Sequence, residues 1–327
     1  MTPRKPKWAM SLTAIAIGAA ALALTPQATY AGYPEKPIKV IVGFSAGGGA
    51  DTFGRTVGKY IGKYLKGAEF KPVYKKGGGG TVAINEMIKN NKADGHTIAV
   101  GILPHQVIPT EVSDVGYKMK DLHWLATFAT VPNGIYVRKD SPYQTLDQLV
   151  AAAKANPGKL KAALPSPRSG NTLFFSRWLE MSGLNVAQIF YGGGSKMFKA
   201  MLGKEVDMMI TNANWAIRKP DDTHLLGLAA GKRFALTPDV KTFKEMGSDI
   251  EDYSVRAFVT SADVPADRIK ALVDALKQVS EDPEFRADMN KIGLVTDFAD
   301  DAATTKFVST YVADNQGQFK ALRNKAK

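Results

Sequence analysis

The chain has 327 residues, a formal net charge of +12 and no cysteine. The lack of cysteine excludes disulfide bonds, thiolate metal sites and a lipid attached to a cysteine. The surplus lysines occur singly or in pairs, without the dense basic arm or interleaved aromatic residues of a nucleic-acid-binding protein. We therefore expect no nucleic-acid partner.

The N-terminus has the organisation of a secretory signal peptide. Arg4, Lys5 and Lys7 precede an apolar run over 9–24, and small residues then lead to Ala31. The apolar run is shorter than the roughly 20 residues that a membrane-spanning helix needs. We therefore expect cleavage near Ala31 and export to the periplasm.

Beyond Ala31 the sequence alternates apolar β-type runs with helical patterns, which predicts an α/β fold with parallel strands. In chain order, the predicted strands are 39–44, 71–75, 97–102, 125–137, 159–164, 187–191, 207–211 and 253–260. The predicted helices before the tail are 51–65, 81–90, one that follows Thr145 and stops at 156–158, 171–181 and 196–202. From Ala266 the chain is almost wholly helical, with breaks at 282–283 and 293 and one last helix over 304–322.

The length of the chain predicts two lobes, because roughly 300 residues exceed what one hydrophobic core usually serves. The runs 125–137 and 253–260 lack helical periodicity, and we expect both to cross between the lobes. The expected division is a signal peptide over 1–31, a discontinuous first lobe over 32–131 and 254–327, and a second lobe over 132–253. Lobes joined in this way can close over a ligand.

A glycine loop follows the first strand in KVIVGFSAGGGAD, residues 39–51. A strand, a glycine turn and a helix start place backbone N–H groups and a helix dipole where they can hold a small anion. This pattern predicts a binding protein before it predicts an enzyme.

Five segments together carry a resemblance to a known family. They are YPEKPIKVIVGFSAGGGAD at 33–51, ADGHTIAVG at 93–101, KDSPYQTLDQLVAAAKANPGKL at 139–160, GKEVDMMI at 203–210 and AAGKR at 229–233. In this order they resemble the Bug or TctC-like family, the extracytoplasmic solute receptors of tripartite tricarboxylate transporters. The resemblance implies a type II periplasmic-binding-protein fold, a small organic anion as the ligand, and integral-membrane permease subunits as partners.

The resemblance also implies where the ligand binds. In the first lobe it points to two loops and a neighbouring wall, with the candidates Ser45, Ala46, Gly47, Gly48, Gly49, Gly78, Gly79, Leu103 and His105. In the second lobe the candidates are Arg168, Ser169, Gly170, Asn171, Tyr191 and Asn212. We expect Asp51 to cap the helix and support the first loop instead of contacting the ligand.

Two of these candidates leave alternatives open. Arg168 could clamp a second acidic group through its guanidinium, or it could be an exposed loop arginine. His105 could bond to the ligand, or it could be a surface histidine. Neutral amides at Asn212 and Asn214 disfavour an ammonium group on the ligand, and we expect a di-acid or an aromatic acid.

The sequence contains no complete nucleotide-binding motif and no cysteine that could act as a nucleophile, and its four histidines lack metal-ligand spacing. We therefore expect a monomer that is not an enzyme and holds neither a cofactor nor a metal. A secreted α/β hydrolase or transferase acting on a small organic acid is the alternative.

Overall fold

The structure is a computed structural model that describes residues 32–325. The predicted signal peptide and its cleavage site therefore lie outside the described residues. No helix within 32–325 has the length and hydropathy that crossing a bilayer requires.

The described residues form one mixed sheet. Its strands are β1 (Ile38–Val42), β2 (Phe70–Tyr74), β3 (Thr97–Leu103), β4 (Leu122–Arg138), β5 (Lys161–Leu164), β6 (Ala187–Phe190), β7 (Met208–Asn212), β8 (Thr223–Leu228) and β9 (Tyr253–Ser261). The order across the sheet is β2-β1-β3-β9-β4-β7-β5-β6, and β8 pairs separately with β4. β1 is parallel to β2 and β3, and β5 is parallel to β6 and β7, whereas β4 and β9 are antiparallel to every strand they pair with.

Helices cover the sheet between these strands. They are α1 (Gly49–Tyr64), α2 (Thr81–Lys89), α3 (Ile108–Val112), α4 (Leu146–Ala155), α5 (Gly170–Ser182), α6 (Gly194–Leu202), α7 (Trp215–Arg218), α8 (Ala266–Glu281), α9 (Pro283–Lys291), α10 (Asp301–Asp314) and α11 (Gln316–Lys325). Each predicted strand is present with shifted ends, while β8 and the short helices α3 and α7 were not predicted.

The prediction of one last helix over 304–322 is wrong. The chain forms α10 and α11 there, and Asn315 separates them. The amide of the Asn315 side chain donates to the carbonyl of Tyr311 at 2.8 Å and so caps the end of α10. Asp314, Asn315 and Gly317 are all poor helix formers, which explains why the helix ends at this point.

The long strand β4 joins two halves of the sheet. It pairs with β9 as far as Pro132, and from Asn133 onward it pairs with β7. One apolar core contains Trp124 and Val255, and a separate core contains Trp178 and Phe243. We propose to divide the lobes at this change of partner, between Pro132 and Asn133.

Helix α4 begins with the pair of side-chain hydrogen bonds that the sequence predicts at Thr145 and Gln148. The hydroxyl of Thr145 accepts from the backbone N–H of Gln148 at 3.2 Å, and the Gln148 side chain accepts from the N–H of Thr145 at 3.2 Å. This confirms the predicted capping box.

We expect Thr145→Ala to lower the free energy of unfolding by about 1 kcal/mol, because it leaves a first-turn N–H group without its acceptor. Thr145→Ser keeps the hydroxyl and should retain most of the stability. Urea unfolding followed by circular dichroism measures both variants. Equal losses in the two variants would contradict the role of the hydroxyl.

Candidate functional site

A cavity of about 50 Å³ lies between the two halves of the sheet. The first half contributes Phe44, Gly48, Gly49, Ala50, Ile102, His105 and Arg256 to its lining. The second half contributes Pro165, Asn171, Gly193, Gly194, Met197, Thr211, Asn212 and Trp215. The cavity therefore combines apolar walls with amides and one guanidinium group.

Three helices begin at this cavity. Gly49 is the first residue of α1, Asn171 lies in the first turn of α5, and Gly194 is the first residue of α6. The first-turn N–H groups of a helix have no acceptor within the helix, and its N-terminus carries a partial positive charge. The three helix ends together favour a negative ligand.

Arg256 lies on the central strand β9, opposite Ile102 of β3 and Ala129 of β4. Its side chain is only 1% exposed, and Nη2 donates to Oδ1 of Asn212 at 2.6 Å. Within 32–325 its Nε has no hydrogen-bond partner and no carboxylate pairs with it. Burial, helped by the nearby Arg218 charge, lowers the pKa of Arg256 to about 10, so the group remains charged near neutral pH.

An amide network connects Arg256 to a partly buried carboxyl group. Asn212 and Asn171 each donate from Nδ2 to Oδ1 of Asn133 at 2.8 Å. The Nδ2 of Asn133 in turn donates to Asp252. Burial raises the pKa of Asp252 to about 7, so its negative charge is weakened at the far end of the network.

His105 is buried in the cavity wall and is not a surface histidine. Its Nε2 lies 2.9 Å from Oδ1 of Asn171, which fits a neutral ring that donates from Nε2. Burial lowers the pKa of His105 to about 4. The ring therefore contributes hydrogen bonding and no charge near neutral pH.

The first glycine loop only partly lines the cavity. Gly48 and Gly49 line it, whereas Ser45, Ala46 and Gly47 lie beside it. Asp51 orders the loop, because its carboxylate accepts from the N–H of Gly47 at 2.8 Å. The expectation that Asp51 is the helix cap is wrong, since Gly48 holds the N-cap position and Asp51 lies in the first turn of α1.

Groups from the second half of the sheet hold the same loop from the other side. The hydroxyl of Ser195 donates to the carbonyl of Ala46 at 3.1 Å. Arg218 donates from Nη2 to the carbonyl of Gly47 at 2.6 Å. These two contacts join the second half of the sheet to the loop of the first half.

Several other residues proposed from the sequence lie outside the cavity lining. They are Gly78, Gly79, Leu103, Arg168, Ser169, Gly170 and Tyr191. Arg168 is exposed and donates to the hydroxyl of Ser113 at 2.5 Å. Ser169 caps α5 by accepting from the N–H of Thr172 at 3.3 Å. A Cβ atom added at Gly79 would lie 2.9 Å from Oγ of Ser166, so this glycine permits close contact between the two loops.

A larger cavity of about 280 Å³ lies on the opposite face of β9. Successive side chains of a strand face opposite sides, so Val255 lines the larger cavity while Arg256 lines the smaller one. The charged side chains around the larger cavity are Arg177, Glu251 and Asp252, which carry both signs. Because these side chains carry both signs, the larger cavity does not favour an anionic ligand over a cationic one. We therefore regard the smaller cavity as the functional site.

A family model described as the receptor of the tripartite tricarboxylate transporter family matches residues 72–323. The chain belongs to this receptor family. A protein of Cupriavidus necator named "UPF0065 protein in gbd 5'region" is 29% identical over 280 residues, which cover 85% of this chain and 84% of the relative.

Two solved structures have the same fold as this receptor. The periplasmic binding protein BugD superposes with a TM-score of 0.82 at 24% identity, over 89% of this chain and 98% of BugD. MatC from Rhodopseudomonas palustris, solved with bound malate, gives a TM-score of 0.77 at 20% identity, over 89% of this chain and all of MatC (100%). The chain therefore has the two-lobed α/β fold of periplasmic binding proteins.

Arg256 is not among the site residues that the sequence of this receptor predicts. The run 253–260 is mostly apolar, but this one arginine interrupts it. A lone charge within a strand that is otherwise apolar is the signal that could have identified it, because such a group is rarely buried without a role. The other missed lining residues are Phe44, Ala50, Ile102, Pro165, Gly193, Gly194, Met197, Thr211 and Trp215.

The raised pKa of Asp252 predicts how the receptor's stability depends on pH. The native state holds this proton more tightly than the unfolded chain, where the pKa is about 3.9. The resulting stabilisation is complete below that value and is lost as the pH rises through about 7.

Asp252→Asn keeps an oxygen that can accept from Asn133 and removes the titration. Between about pH 5 and pH 8 we expect the wild type to lose about 2 kcal/mol of unfolding free energy relative to this variant. Urea unfolding of both proteins at the two pH values measures the difference. If the unfolding free energies of the two proteins differ by the same amount at both pH values, the raised pKa of Asp252 is contradicted.

Proposed function

We propose that the protein is a periplasmic receptor that binds a small organic carboxylate in the cavity and delivers it to the permease subunits of a tripartite tricarboxylate transporter. One observation carries the proposal: the buried guanidinium of Arg256 has no carboxylate partner in the described chain. A buried charge without a counter-ion is costly, and an anionic ligand would remove that cost.

The free donors around Arg256 suit a carboxylate. Its unpartnered Nε and its terminal nitrogens can bind two carboxylate oxygens at once, which is the stronger kind of hydrogen bond. Gly49 is adjacent, because a Cβ atom added there would lie 3.1 Å from Nη2 of Arg256. The first-turn N–H groups of α1 therefore add donors beside the guanidinium.

Family membership supports the remaining parts of the proposal. The matched family consists of transporter receptors, which supports delivery to a permease and a location in the periplasm. MatC was solved with malate, and this supports an organic acid as the ligand class. The contacts of Ser195 and Arg218 with the first loop would break when the lobes open, which provides a cycle of capture and release.

Arg256→Met is the variant that tests this function. Propionate, butyrate, succinate, malate and benzoate are first screened against the wild type by thermal shift, because a ligand of the native state raises the melting temperature. For acids that stabilise the wild type, we expect the variant to bind about 100-fold more weakly or worse, a loss of about 3 kcal/mol. Calorimetric titration measures the affinity.

Arg168→Met is the matched control, since it removes an exposed arginine outside the cavity. It should bind with the wild-type affinity. The melting temperature without ligand reports whether either variant is misfolded, and replacement of an unpaired buried charge should not lower it. Equal binding by Arg256→Met, or conversion of the bound acid to a product, would contradict the receptor proposal.

A further inference from the structure

The larger cavity, of about 280 Å³, has walls from both halves of the sheet. From the first half, Phe307 and Tyr311 line it with one face of α10, because residues four apart lie on the same side of a helix. From the second half, Leu173 and Phe174 line it with α5. An apolar cavity of about 150 Å³ can hold benzene, so this cavity has room for a small organic molecule.

Asp252 brings a carboxyl group to the larger cavity without a cation beside it. The side chain is partly buried and accepts from Nδ2 of Asn133, which is neutral. No lysine or arginine among the described residues acts on its pKa, which burial raises to about 7. A cation from outside the chain would therefore stabilise the ionised carboxylate.

The other charged and titratable groups around the cavity do not supply that cation. Tyr311 lies near Asp252, since its pKa is raised by burial and also by the negative charge of Asp252. Glu251 adds a second negative group and accepts from the hydroxyl of Tyr253 at 3.0 Å. Arg177 is exposed to solvent, which screens its charge. The charge next to Asp252 is therefore negative and uncompensated.

The aromatic side chains of the walls suit the same kind of partner. Phe174, Phe307 and Tyr311 all line the cavity, and Phe307 is 44% exposed. The face of an aromatic ring attracts an organic cation, and it also packs against an apolar body.

From these observations we propose that the larger cavity is a second binding site, which takes a small organic ammonium compound with an apolar body. The ammonium group pairs with Asp252, and the apolar body packs on Phe174, Phe307 and Tyr311. The inference goes beyond the proposed function, because it concerns a different cavity and a ligand of the opposite charge.

Matched pairs of amines and alcohols test the preference for a positive charge. The pairs are isopentylamine with isopentyl alcohol, cyclohexylmethylamine with cyclohexylmethanol, and phenethylamine with phenethyl alcohol, each titrated calorimetrically into the purified exported protein near pH 8. Alkyl ammonium groups are mostly charged at this pH, and Asp252 is mostly ionised. We expect at least one amine to bind about ten-fold more tightly than its alcohol or better. If no amine binds, or if each alcohol binds as tightly as its amine, the proposal is overturned.

Asp252→Asn removes the charge that the amine needs. The wild type should bind the amine about ten-fold more weakly near pH 6 than near pH 8, because Asp252 takes up its proton. The variant should bind the amine no better than the alcohol at both pH values. Asp249→Asn is the matched control, since Asp249 is 80% exposed outside the lining, and it should behave like the wild type. Equal amine affinities in the wild type and Asp252→Asn near pH 8 would overturn the pairing.

Phe307→Ala tests the location of the ligand without touching Asp252. Because Phe307 is already 44% exposed, the variant should fold, and the melting temperature without ligand checks this. Loss of the aromatic wall should weaken amine binding about three-fold or more. Val82→Ala removes an equally exposed side chain on α2, outside the lining, and should leave the affinity unchanged. Wild-type affinity in Phe307→Ala would overturn the placement of the amine in this cavity, even where Asp252→Asn fails to fold.

Discussion

The burial of a single guanidinium group on a central strand is the constraint on which the site depends. Arg256 is held between β3 and β4, where its backbone is fixed by pairing on both sides. The fold compensates its charge only indirectly, through Asn212, Asn133 and then Asp252. Neutral amides satisfy hydrogen bonds but cannot replace a counter-ion, so the guanidinium still favours a negative partner.

The same network lies where the two lobes meet. Asn133 and Asn212 are opposite each other at the first pair formed between β4 and β7. Asp252 directly precedes β9, next to the position where that strand starts to pair with β4. The polar groups that support the cavity therefore lie in the same region that would bend if the lobes opened. This arrangement gives a physical route by which a bound anion can favour closure.

Much of the fold was predictable from the sequence because it depends on local patterns. The alternation of apolar runs and helices located the strands of the sheet, and the Thr145 capping box is formed by neighbours in the chain. The last helix was placed wrongly because its apolar pattern continues across Asn315, where the capping chemistry ends α10.

The site was less predictable because its residues come together only through long-range pairing. Gly48 and Gly49 were found from a local glycine pattern, and Asn171 and Asn212 from a family resemblance. Which face of β9 carries Arg256 follows from its register with β3 and β4, and no local pattern gives that register. The sequence suggested Arg168 as a clamp for a second acidic group because it lies in a loop of the second lobe. In the structure its guanidinium donates to the hydroxyl of Ser113 instead.

A crystal structure of the protein with the organic acid that it binds most tightly would test the central claim most directly. The account predicts carboxylate oxygens within about 3 Å of Nε or the terminal nitrogens of Arg256, with the two lobes closed around the acid. An acid bound elsewhere, with Arg256 paired to a carboxylate of the protein itself, would contradict it.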